Sequence, residues 1–142
     1  MVEKKYELIE HTADIGIRVK GDNLKELFIN VALSMFDIIA ETKNEQKSKT
    51  RRISIRQKAD NLEELFINWL NELLSLSSVK ELIFNGFKIG KLDENNLEAQ
   101  AFGQDIQDYK VNVEIKAATY HALKLLHAES GWIAEVIFDV WV

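Results

Sequence analysis

Asp14 and Asp139 are the residues of this sequence best placed to do chemistry together. Asp14 closes the tetrad His11-Thr12-Ala13-Asp14 and stands just before an alternating run, Ile15-Gly16-Ile17-Arg18-Val19-Lys20. In a strand, Ile15, Ile17 and Val19 point to one face and Gly16, Arg18 and Lys20 to the other, which Asp14 shares. Asp139 closes the last alternating run, sharing a face with Ile133, Glu135 and Ile137 while Trp132, Ala134, Val136, Phe138 and Val140 take the opposite one. Aspartate is a poor strand residue, so a carboxylate at each of these strand ends calls for a function. Two carboxylates brought together share a proton, meet a cation or bind a metal. The chain has no cysteine and only three histidines, none clustered, so the ligands of such a metal are oxygens, which selects a hard cation such as Ca²⁺ or Mg²⁺.

Other chemistries find little support. There is no glycine-rich phosphate loop, no HExxH and no nucleophile elbow. His11 and His121 fall on apolar parities and read as buried or edge histidines bonded to backbone; His127 reads as a loop residue. If helices cover the apolar side of the sheet, parity gathers Asp14, Arg18, Arg52, Arg56, Lys116, Tyr120, Glu135 and Asp139 on the opposite face. Any half-solvated sheet also has a polar face, and that plain explanation weighs evenly against function for the set as a whole.

The elements that must position these residues carry an internal echo. Asp22-Asn-Leu-Lys-Glu-Leu-Phe-Ile-Asn30 and Asp60-Asn-Leu-Glu-Glu-Leu-Phe-Ile-Asn68 differ at one position, and each follows an alternating run. The repeating unit is a strand followed by a helix, and two copies are too few for a solenoid. Apolar residues at helical spacing, Leu24, Leu27, Phe28, Val31 and Met35 in one copy and Leu62, Leu65, Phe66, Trp69 and Leu73 in the other, predict helices over about residues 23–40 and 61–76. Asp22 or Asn23 can cap the first, with Glu26 in a capping-box position. Residues 41–52 read as a solvated polar loop, and the second half as β throughout, with a hairpin around residues 93–96 and a polar loop over 103–109. The expected fold class is α/β (α+β): a two-layer sandwich in which a mixed sheet carries two main helices on one face, all within a single domain spanning residues 1–142.

Composition sets the outer bounds. A chain of 142 residues buries a sizeable core without staples. The absence of cysteine suits a reducing compartment, and no apolar run approaches a membrane span, so a cytoplasmic location is expected. A net charge of −5 argues against a general nucleic-acid coat without excluding a local basic patch.

Several stretches together carry a resemblance. HTADIGI at 11–17, GDNLKELFINVALSMFDII at 21–39, KAATYHALKL at 116–125 and GWIAEVIFDV at 131–140 resemble the archease family in order over nearly the whole chain. The resemblance implies a small protein that acts with an RtcB-type RNA ligase in tRNA splicing, touching tRNA through the ligase. Such a protein promotes ligase guanylylation and multiple turnover without joining RNA itself. It also implies a bound divalent cation, Ca²⁺ with Mg²⁺ or Mn²⁺ as alternatives, at Asp14, Asp139 and Val140. Lys116 of the K-A-x-T-Y-H motif is expected to matter for activating the partner, with Tyr120 and His11 beside it in that role. Two other classes compete: a metal-dependent hydrolase using the same carboxylates to activate water, and a small RNA-binding module using Arg18, Arg52, Arg56 and Lys116.

Overall fold

The duplicated segments open the two long helices of the computed structural model, which describes residues 5–9, 14–43 and 48–141. Helix α1 spans Leu24–Ile39 and α2 spans Leu62–Lys80. Both start alike: the side-chain oxygens of Asn23 and Asn61 accept from the backbone N–H groups of Glu26 at 2.9 Å and Glu64 at 2.8 Å. Each bond satisfies one of the donors that a helix start leaves without an internal partner. α2 runs past the end set by its apolar spacing and stops at Glu81, which takes the left-handed conformation at φ 55°. The Ser77 hydroxyl donates to the Leu82 carbonyl and ties down that exit.

The strands are β1 (Tyr6–Ile9), β2 (Asp14–Gly21), β3 (Ala40–Thr42), β4 (Arg51–Lys58), β5 (Leu82–Leu92), β6 (Asn96–Asp105), β7 (Tyr109–Val111), β8 (Ile115–Ala128) and β9 (Gly131–Val140). They form a four-stranded sheet in the order β1-β2-β9-β8, a three-stranded sheet in the order β4-β6-β5, and the pair β3-β7. The α+β class and the packing of helices on sheet are as expected. The expected mixed sheet is instead divided into pieces whose pairings among the described residues are all antiparallel. The reason lies in the second half of the chain. Its two long hairpins, β5-β6 and β8-β9, offer edges to which the strands of the echo, β2 and β4, each add separately. Antiparallel partners need only short turns, whereas parallel ones need a crossover.

The helix pair belongs to both sheets. α1 packs on β2 and β9 of the larger sheet and on β5 of the smaller; α2 packs on β8 of the larger and on β4 and β5 of the smaller. Phe28 and Trp69 are fully buried where the helices meet. The rings of Phe28 and Phe66 meet edge to face at 5.3 Å, and the Trp69 indole N–H donates to the Phe28 carbonyl at 3.0 Å. Phe36 and Trp69 then reach Phe84 and Phe87 of β5. Glycine is required where β2 and β9 approach the start of α1: a Cβ on Gly21 would lie 2.4 Å from the Leu27 nitrogen, and one on Gly131 would lie 2.5 Å from the Gly21 carbonyl.

Two stretches expected as loops are more ordered than their polarity suggests. Ala40–Thr42 pairs with Tyr109–Val111, and β6 runs on to Asp105 before a single 3-10 turn, Ile106–Asp108. The Ser48 hydroxyl donates to Asp108 at 2.6 Å and accepts from the Asp105 N–H at 3.0 Å, so polar side chains here pin the backbone instead of facing water.

Candidate metal centre

Asp14 is the first residue of β2, Asp139 the penultimate residue of β9, and the two are direct cross-strand partners. Residues opposed in this way on an antiparallel pair share a face, with Cβ atoms about 4.5–5.5 Å apart. The same alternation that buries Ile17, Val19, Val136 and Phe138 puts both carboxylates on the open side, where each is half-buried. Among the described residues neither carboxylate is in an ion pair.

The rest of this face is arranged differently. Arg18 lies opposite Glu135, and its guanidinium donates to Glu135 at 2.9 Å and to Glu7 at 3.0 Å. Lys124 approaches the other Glu135 oxygen at 3.6 Å. The hydrogen bond from Arg18 holds the Glu135 carboxyl below the usual glutamate range. Charge in the middle of the sheet is therefore compensated, while the two aspartates at its end stand opposite each other outside any ion pair among the described residues.

This donor set suits a hard divalent cation. It consists of oxygen atoms from two carboxylates on one face, at a sheet end open to water. No group of three or more His, Asp or Glu side chains with metal-ligating placement occurs among the described residues, so main-chain carbonyls and water would complete the shell. Val140 follows Asp139 directly and pairs with Ile115. Neither aspartate lines the depression of about 500 Å³ between β1, α1 and β5, which Tyr6, Asn30, Asp37, Phe84 and Tyr109 border.

Lys116 reaches the neighbourhood through a break in register. Ile115 pairs with Val140 and Ala117 with Asp139, so Lys116 is the extra residue of a β-bulge next to Asp139. Its ammonium lies 4.8 Å above the ring of Trp141, which is 59% exposed. The Trp141 backbone N–H donates to the Glu114 carbonyl at 3.0 Å and so ties down the chain just beyond the last strand.

That bulge corrects the expected parity of β8. Ala118, placed by simple alternation on the polar face, is buried instead: the side chain of Asn71 on α2 donates to its carbonyl at 3.2 Å and accepts from its N–H at 2.8 Å. Ala117 and Thr119 take the aspartate side as partners of Asp139 and Ile137, and the Thr119 hydroxyl donates to the Ile137 carbonyl at 2.9 Å. Tyr120 thus leaves the aspartate face. Partial burial and the charge of Glu64, in the first turn of α2, raise its phenol above the usual range. A longer irregularity follows between Thr119 and Lys124, with Ala122 at φ 53°.

The remaining expected members divide. Arg52 and Arg56 are not on this face at all; they stand on β4 in the other sheet, Arg56 paired with Glu98 at 3.0 Å. His11 lies outside the described residues. His121 is exposed rather than buried, and His127 is a strand residue whose ring stacks on its cross-strand partner Trp132 at 4.3 Å. The Lys116–Trp141 contact and the Thr119 hydroxyl escaped sequence reasoning. Trp141, an aromatic just past the last strand, was the available signal for the first.

Residues 6–140 match the archease protein family (MTH1598/TM1083). Protein archease of Methanosarcina barkeri is 38% identical, over 96% of this chain and 97% of its own. Protein archease of Pyrococcus abyssi is 37% identical, over 96% and 99%. The solution structure of Methanobacterium thermoautotrophicum protein 1598 superposes with a TM-score of 0.72 at 31% identity, covering 96% of this chain and 99% of that one. An archease, possible chaperone, from Thermotoga maritima has the same fold at a TM-score of 0.64 and 24% identity, over 92% and 94%. The matched region opens with the first residue of β1 and closes with the last of β9, and the chain belongs to the archease family.

Proposed function

We propose that this protein is a non-enzymatic, cytoplasmic activator of an RtcB-type RNA ligase in tRNA splicing. In this reading it promotes ligase guanylylation and multiple turnover, with Asp14, Asp139 and the carbonyl of Val140 holding a divalent cation, Ca²⁺ ahead of Mg²⁺ or Mn²⁺. The observation that carries the reading is the register of β2 on β9, which sets Asp14 opposite Asp139 on an open face with no cation paired to either among the described residues. The partner is proposed from the sequence resemblance, with which membership of the archease family is consistent. A bound cation would offset the repulsion between the carboxylates and fix the end of β2 against β9.

Within this reading Lys116 is the residue offered to the ligase. The bulge holds it beside Asp139, and the Trp141 ring carries its ammonium at the surface by a cation–π contact. Tyr120, 56% exposed on the side nearer α2, and His11, which lies outside the described residues, are the other residues we assign to activating the partner. The hydrolase reading has less to stand on, because among the described residues neither carboxylate borders the depression between β1, α1 and β5 or the one on the three-stranded sheet.

The test is RNA joining by a cognate ligase at limiting concentration, with and without the protein. Product should rise from about one equivalent per ligase to many, with no joining or hydrolysis by this protein alone. Product that stays at one equivalent across cognate ligases would remove the activator reading; RNA or nucleotide cleavage lost in Asp14→Asn would install the hydrolase in its place.

A further inference from the structure

The outer face of the three-stranded sheet has a chemistry that the aspartate centre does not use. Register lays its side chains out as a grid: Arg52, Phe102 and Gly86 in one row, Ser54, Gln100 and Lys88 in the next, and Arg56, Glu98 and Lys91 in the third. Lys58 and Asn96 extend it by one more pair. The opposite side carries Ile55, Leu97, Ala99, Ala101 and Ile89 and is buried, so the grid is the solvent side. A bulge at Gly90 keeps it basic: the register shift between Ile89 and Lys91 turns Lys91 to the outer face opposite Glu98.

The charge is one-sided. Arg52, Arg56, Lys58, Lys88 and Lys91 are all exposed, while Glu98 is the acidic residue among these paired outer positions, and it is bonded to Arg56. This occurs on a chain of net charge −5, so the cations are concentrated here against the overall balance. A shallow depression of about 500 Å³ crosses all three strands, bordered by Ser54, Arg56, Lys88, Gly90, Glu98 and Gln100. At its end sits Phe102, half-exposed, with Gly86 as its cross-strand neighbour. Only ordinary contact, 3.8 Å to the Phe102 Cβ, would meet a Cβ on Gly86, so the glycine is not demanded by packing and leaves the position beside Phe102 without a side chain.

We propose that this face is a docking platform for single-stranded polynucleotide. Cations at alternate positions along adjacent strands match a flexible polyanion laid across the sheet, and a partly exposed aromatic ring beside a glycine at one end accepts a base by stacking. A duplex keeps its bases stacked inside and makes no use of Phe102. An acidic protein segment would meet the cations but not the ring. The inference is independent of the ligase partnership, since it concerns a different sheet and is read out by direct binding.

The experiment is a fluorescence anisotropy titration of the whole protein into a labelled single-stranded RNA of about ten nucleotides, within the site sizes of sheet platforms, over a salt series. The same sequence as DNA and as duplex RNA, and poly-glutamate as competitor, complete the set. The binding constant should fall as salt rises, with a log–log slope of about −0.7 for each phosphate contacted. The double reversal Arg52→Glu/Lys88→Glu should lose at least about tenfold and flatten that slope. Lys25→Glu/Lys80→Glu, which makes the same change in net charge at exposed helix positions, should stay within about twofold. Gly86→Val, which covers the ring while keeping every cation, should lose about fivefold or more with the slope unchanged. Melting curves of the variants that match the wild type establish that each is folded. Tighter binding of RNA or of DNA would say which single strand is preferred and supports the platform either way. Equal losses in the two double variants, no binding at low salt, duplex bound as tightly as single strand, or displacement by poly-glutamate as readily as by RNA would each overturn it, the last in favour of an acidic protein partner.

Discussion

The four-stranded sheet turns outward a face that is compensated in its middle and acidic at its end; the three-stranded sheet turns outward one that is basic almost throughout. On the first, Arg18 and Lys124 neutralise Glu135 and Glu7, and Asp14 and Asp139 are left opposed at the strand ends. On the second, Arg56 meets Glu98, and Arg52, Lys58, Lys88 and Lys91 stand around that pair. One strand of each face, β2 or β4, comes from a copy of the same strand-helix unit, and both sheets rest on the same two helices. The lesson is that a duplicated scaffold fixes which side of each strand is buried and leaves the other side free to diverge in charge, because outward residues make few packing contacts.

The shared helices give the largest expected effect. Phe28→Ala or Trp69→Ala should cost about 3–5 kcal/mol, since each ring is fully buried between the helices and the freed volume cannot collapse without moving both sheets. Denaturant unfolding measures it. A loss below about 1 kcal/mol would show that the two faces do not depend on a common core.

The next separates the faces. Ca²⁺ in melting experiments should stabilise the wild type by about 2.7 kcal/mol at a concentration 100 times its dissociation constant. Asp14→Asn and Asp139→Asn should abolish the response, while Arg52→Glu/Lys88→Glu should keep it. In the absence of metal Asp14→Asn should be at least as stable as the wild type, because it relieves the repulsion across the strand pair. An equal Ca²⁺ shift in all four proteins would put the cation somewhere else.

The helix caps compare the two copies of the repeat at smaller scale. Asn23→Ala and Asn61→Ala should each cost about 1 kcal/mol. The first acts where Gly21 and Gly131 crowd the start of α1. The second acts where Asn95 donates to the Ala59 and Asp60 carbonyls at 3.0 and 3.1 Å. Hydrogen exchange should report the first loss mainly in β2 and β9 and the second mainly in β4; exchange that spreads evenly over both sheets in both variants would mean that the copies do not act separately.

The smallest effect belongs to Glu135. Its carboxyl is lowered by the Arg18 hydrogen bond, so its contribution is complete above the ordinary glutamate pKa of about 4.3 and disappears as pH falls through the lowered folded value. Glu135→Gln should therefore be less stable than the wild type at neutral pH by no more than about 1 kcal/mol, given a half-exposed Arg18. The two proteins should converge in acid. A gap that widens on acidification would reverse the assigned sign.

Local pattern alone was enough for much of this. The apolar spacing and the asparagines of the echo located both helix starts, and alternation in 15–20 and 131–140 gave the buried side of β2 and β9 and hence the shared side of Asp14 and Asp139. These succeed because a continuous strand or helix has a fixed period, and the water–core boundary enforces it on every residue. Alternation failed on β8, where one inserted residue at Lys116 and a longer irregularity after Thr119 reverse the facing of everything between, moving Ala118 inward and Tyr120 toward α2. A bulge costs the sequence no composition signal, so periodicity runs straight through it.

What the sequence determined by itself was the inventory: two capped helices, the facing of uninterrupted strands, and a carboxylate at the outer end of each of two distant ones. What only the tertiary structure decided was pairing. Parity could say that Asp14, Arg52 and Asp139 all point away from an apolar side, but not that β2 adds to β9 while β4 adds to β6. Strand partnership is settled by contacts between residues far apart in the chain, through the hairpin edges and the helix pair that both sheets enclose, and no local period encodes it. That choice sets two aspartates against each other on one sheet and collects arginines and lysines on the other.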